Sequence, residues 1–162
     1  MQVSVMVRLL GKPIVQKELS ISKSVREKVD GEITRMNSEL SNIAASRMPM
    51  DQLNKAIADV TQEAEKRIVE HLSDDQSRRL RQVTWHSIGP AATRSVNDEM
   101  QLGIEDAKIE KVLSLAHART ASGKEQIEER LRSAWNFDSL AEVLSAGDIQ
   151  KLAKAIGNPL EE

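Results

Sequence analysis

From residue 22 onward the apolar positions recur at helical spacing. Val29, Ile33, Met36, Leu40 and Ile43 step by 4, 3, 4 and 3, which puts them on one face of an amphipathic helix. Ser22 stands where a capping residue belongs. Met48-Pro49-Met50 interrupts the pattern and Asp51 is able to restart it. Leu53, Ile57, Val60, Ala64, Ile68 and Leu72 then continue at the same period. Two long helices joined by so tight a turn are expected to form an antiparallel hairpin. Ser73 opens a third helix, with Gln76 three residues later completing a capping box. That helix has to end near Ile88-Gly89-Pro90, and residues 89–98 read as a linker.

The plan then repeats. Ile104 and Ile109 flank a helix start as a hydrophobic staple, followed by Val112 and Leu115. Glu105 is a poor cap there. Ser122-Gly123 breaks the helix, and Ile127, Leu131, Trp135 and Leu144 are expected along its return. Leu144-Ser145 starts a last helix carrying Ile149, Leu152 and Ile156, which stops at Gly157-Asn158-Pro159. One short pattern thus marks four helix starts: Ile21-Ser22-Lys23-Ser24-Val25, Leu72-Ser73-Asp74-Asp75-Gln76, Ile104-Glu105-Asp106-Ala107-Lys108 and Leu144-Ser145-Ala146-Gly147-Asp148. Eight positions after the first residue of each comes another apolar one: Val29, Leu80, Val112 and Leu152. An apolar residue followed by a capping serine can open any helix, but generic capping does not demand a matched order of hairpins and stops. The pattern predicts an all-α fold of helical hairpins with an internal duplication. It reads as one domain over residues 1–162, made of two similar halves at about 9–90 and 99–160. The first and third copies begin 83 residues apart and the second and fourth 72, so the duplication would be an old one.

Composition narrows the chemistry. Aromatic residues make up 2% of the 162, so the core must be built from Leu, Ile, Val, Met and Ala, which suits helix-on-helix packing. Trp85 and Trp135 read as core anchors. A net charge of −2 gives no general attraction to nucleic acid or anionic membrane, and no apolar run is long enough to span a bilayer. Without cysteine there is no disulfide and no thiolate chemistry. Met1 to Leu10 is a short apolar stretch containing Arg8 that lacks the parts of a signal peptide, so at face value the chain is cytoplasmic.

No catalytic constellation emerges. His71, His86 and His117 form no paired-histidine motif, and Arg67 stands one turn before His71, where it would repel a metal. There is no phosphate-binding glycine loop and no serine-hydrolase signature, so a non-enzyme without cofactors is expected. The densest basic group is Lys66, Arg67, Arg78, Arg79 and Arg81. Interspersed acids (Glu63, Glu65, Glu70, Asp74, Asp75) mark it as a solvated helix face, and no aromatics are interleaved for stacking bases. Met48 and Met50, flanking the turn, offer adaptable apolar surface, and with Arg78, Arg79 and Arg81 they are the candidate residues for contacting a protein partner.

Leu72-Ser73-Asp74-Asp75-Gln76 resembles the Leu-Thr-x-x-Gln motif of the Spy/CpxP-like envelope stress proteins, with serine in place of threonine. More specifically, the chain resembles planctomycete members that carry several copies of the motif. The resemblance runs from about residue 9 to 160 and includes Val15-Gln16-Lys17-Glu18-Leu19, Arg79-Leu80-Arg81-Gln82-Val83, Gly89-Pro90-Ala91-Ala92, Leu102-Gly103-Ile104 and Ile156-Gly157-Asn158-Pro159-Leu160. It implies a small helical protein of the periplasm that forms a homodimer and binds unfolded protein clients without ATP. This chain departs from that pattern in three copies that lack the final glutamine. Two other readings stand beside it: a helical adaptor for one dedicated partner, and a small metal-responsive sensor.

Overall fold

A computed structural model of the chain describes residues 4–120, 131 and 135–160, with the side chains of residues 117–120 excepted. The fold is all-α, and among the described residues there is no strand. The chain divides into two compact units, Met1–Arg81 and Gln82–Glu162.

In the first unit, α1 (Val5–Leu10) and α2 (Pro13–Glu18) are short helices packed on each other. Pro13 lies in the first turn of α2, where its missing N–H costs nothing. They are followed by α3 (Lys23–Ala45) and α4 (Met50–Val69), which pack along each other. Arg67, near the end of α4, donates to Glu32 in the first half of α3 at 2.7 Å, so the chain runs back antiparallel. The Ser22 hydroxyl accepts from the Val25 amide at 3.3 Å and so caps α3. Val29, Met36 and Leu40 of the predicted stripe are buried, and Ala64 and Ile68 meet the same fate on α4. Leu10 and Val15, fully buried, bring α1 and α2 into the core.

The division falls inside α5 (Asp74–Ile88), between Arg81 and Gln82, rather than in the glycine–proline segment after it. That segment is not a linker. Gly89–Ala92 forms a 3-10 helix with Pro90 in its first turn, and Thr93–Met100 forms α6. The Thr93 hydroxyl donates to the Pro90 carbonyl at 2.7 Å, and Ala92, Thr93 and Val96 are buried. The helix before it ends at Ile88, as Gly89-Pro90 predicts, and Pro90 then favours the first turn of the next one.

The second unit continues with α7 (Asp106–Thr120) and α8 (Ala146–Ile156). Its core gathers Trp85, Ile104, Ile109, Trp135, Leu152 and Ile156, so both tryptophans are anchors and the staple residues Ile104 and Ile109 are both inside. The expected return helix does not reach Leu144. Residues 135–137 are irregular and 138–143 form turns. Asn136 explains the change: its side chain accepts from the Ser139 amide at 3.4 Å, and its carbonyl accepts from the Ser139 hydroxyl at 2.8 Å. Asn and Ser offer the backbone such local partners in competition with helix. Ser122, Gly123 and Ile127 lie outside the described residues.

Candidate functional site

The four helix-start patterns do structural work. Ser73 and Gln76 form the expected box, the Gln76 amide donating to the Ser73 hydroxyl at 3.2 Å and the Ser73 amide to Gln76 Oε1 at 3.0 Å. Ser145 and Asp148 form another at the start of α8, with distances of 3.2 and 3.3 Å. Glu105 precedes α7 and takes the Lys108 and Ile109 amides on its backbone carbonyl. Ile21, Ile104 and Leu144 are buried and Leu72 half-buried, while Val29, Leu80, Val112 and Leu152 are all 1% exposed or less. Apart from Leu72, these residues face inward and are not available to a partner.

The basic group is dispersed by its acidic neighbours. Arg67 sits between Glu32 and Glu63, and its guanidinium is held further toward the charged form, above all by the hydrogen bond to Glu32. Arg79 is half-buried and reaches Glu18 at 2.5 Å, so Arg67 and Arg79 tie helices together rather than lying on a solvated face. Arg78 is exposed and pairs with Asp75 one turn away; Arg81 is exposed.

Met48 and Met50 present the contrast. They flank Pro49 at the tip of the α3–α4 hairpin and are 43% and 69% exposed. The apolar seam behind them is only partly covered, with Ile43, Leu53, Ile57 and Val60 half-buried. A shallow groove of about 500 Å³ runs along this edge of α4, with the half-buried Ile57 and buried Thr61 deepest and Asn54, Ala58, Gln62 and Glu65 around them. Ser4, hydrogen-bonded to Glu65, closes its far end. Two helices bury only the strip along which they touch, which leaves this edge of α4 open beside it. The candidate residues therefore do not form one patch. The methionines are at the start of α4, a helix about 30 Å long, and Arg78, Arg79 and Arg81 belong to the helix that follows its other end.

The signal for the groove was present in the sequence only as small or polar residues (Asn54, Ala58, Thr61, Gln62) beside the apolar stripe of α4. Among the described residues no group of three or more His, Asp or Glu side chains converges as a metal site; His71 is half-buried, His86 is buried, and the His117 side chain lies outside the described residues. Among the same residues no helix is long and apolar enough to cross a membrane. No protein-family model, curated protein or solved structure matches the chain.

Proposed function

We propose that this chain is a non-enzymatic, ATP-independent binding module of the Spy/CpxP-like kind, which holds exposed apolar segments of unfolded protein clients at the open edge of the α3–α4 hairpin. The observation that supports this reading is the combination of an exposed Met48-Pro49-Met50 tip with a half-covered apolar seam and groove behind it. Methionine is flexible and polarisable, so such a tip adapts to segments of differing shape. The polar rim of Asn54 and Gln62 supplies hydrogen bonds that do not select one sequence.

The test is light scattering of a chemically denatured client diluted with and without the protein, in the absence of ATP. Suppression at near-equal ratios is expected from the native chain, and clearly weaker suppression from Met48→Asn/Met50→Asn, whose helical circular dichroism should be unchanged. No suppression across several clients and salt conditions would refute the reading and favour a helical adaptor with one dedicated partner.

A further inference from the structure

Aligned by motif position, the two units share contacts that helix capping alone does not require. In each, the residue immediately before the first motif is left-handed: Ser20 at φ 49° and Gly103 at φ 71°. In each, the carbonyl two residues before that motif accepts a hydrogen bond from the helix that the second motif starts. Leu19 O accepts from Gln76 Nε2 at 3.0 Å, and Leu102 O accepts from Lys151 Nζ at 3.0 Å. In each, the fifth residue of the second motif also caps its own helix, through Gln76 Oε1 in one unit and Asp148 Oδ2 in the other. The same carbonyl is thus held from the second motif's helix in both units, by Gln76 in the first turn of α5 and by Lys151 from the middle of α8.

The chemistry of the join differs. In the first unit one neutral side chain caps and crosses, because an amide both accepts and donates. An ionised aspartate only accepts, so Asp148 caps α8 but has nothing to give the Leu102 carbonyl. There the fifth residue of the other motif, Lys108, crosses instead and donates to Asp148 Oδ2 at 3.1 Å, while Lys151 takes the carbonyl.

We propose that the two units are one motif clasp built twice, and that three charged side chains share the work of the motif glutamine in the second: Asp148 caps, Lys151 holds the carbonyl, and Lys108 ties Asp148 to the start of α7, a charged clasp where the first unit uses a neutral one. The surroundings fit a working ion pair. The Asp148 side chain is 11% exposed and its second partner is the Ser145 hydroxyl, at 2.8 Å. Glu105 stands close enough to Lys108 to favour its charged form. This assignment does not depend on what the hairpin binds.

The experiment is a rescue. Lys108→Met should lower the unfolding temperature of the second unit, read by the fluorescence of Trp85 and Trp135, by about 5 °C for a unit of this size. It should also speed amide exchange in the first turn of α8 roughly tenfold, since a tenfold change corresponds to about 1.4 kcal/mol of local opening. Adding Asp148→Gln to that variant supplies an amide able to cap Ser145 and to donate, beside Lys151, to the second lone pair of the Leu102 carbonyl, and should restore most of both losses. Asp148→Ala, which loses cap and clasp together, should melt lowest. The proposal is overturned if Lys108→Met changes neither quantity, or if Lys108→Met/Asp148→Gln melts no higher than Lys108→Met. Should Lys108→Met not fold, folding of the double variant supports the proposal, and failure of both overturns it.

Discussion

At Gly157 the backbone takes φ 67° and ψ −165°, a conformation open to glycine and almost no other residue. A Cβ there would also come 2.8 Å from the Gln82 side chain. The approach is close because Gln82 Nε2 donates to Ala155 O at 3.3 Å and His86 Nε2 donates to Gly157 O at 3.1 Å, so two side chains one turn apart on α5 hold the end of α8. Gly157→Ala is expected to cost about 1–3 kcal/mol, measured as a lower urea midpoint with an unchanged slope. Capping residues carry smaller terms. Ser73→Ala should cost about 1 kcal/mol, the usual value for a lost cap, and the same measurement checks it. Ser22, Ser73 and Ser145 were legible as caps because donor and acceptor lie within three residues of each other. The bond from Gln76 to Leu19 spans 57 positions, and nothing local to either residue announces it.

Between elements, the contact of α7 with α8 makes stability depend on pH. The Asp148 carboxyl is held below its ordinary value of 3.8, first by the Ser145 hydroxyl and then by Lys108, against the opposing effect of burial. A group whose pKa is lowered by folding stabilises the folded state above its unfolded pKa, and that stabilisation is lost as pH falls through the folded one. The unfolding temperature of the second unit should therefore fall as pH drops below about 4, and Asp148→Asn should flatten that part of the profile. Lys108 has the opposite sign: its pKa is raised, so its contribution fades as pH climbs past 10.5. Helix positions were largely legible at this scale, since the stripe Val29 to Ile43 and the interruption at Met48-Pro49-Met50 each reflect local geometry. The return toward Leu144 was not, because Asn136 and Ser139 turn the chain with their own hydrogen bonds while Trp135 and Leu144 still reach the core.

For the whole chain, division into two units makes a specific expectation about unfolding. Both tryptophans belong to the second unit, whereas helical circular dichroism reports on both units. Leu152→Ala, in the second core, should cost about 2–5 kcal/mol and move the fluorescence transition ahead of the helical one. Met36→Ala, in the first, should carry a similar cost and lower the helical transition while leaving the fluorescence midpoint in place. Coincident transitions in both variants would mean that the chain unfolds as one cooperative body.

The order of hydrophobic and polar residues by itself determined that this chain is all-α, where its long helices run, which serines cap them, and that the ninth residue of each motif lies inside. Helical period and capping are decided within one or two turns, so the information is local. Tertiary structure alone decided the rest. It placed the division inside α5, where the sequence has no break, and turned residues 89–98 from linker into packed helix. It also drew Arg67 and Arg79 out of a nominal basic face into ion pairs with Glu32 and Glu18. Each of these depends on which partner arrives from tens of residues away. That choice is set by the burial and pairing available once the helices pack, and not by the residues on either side.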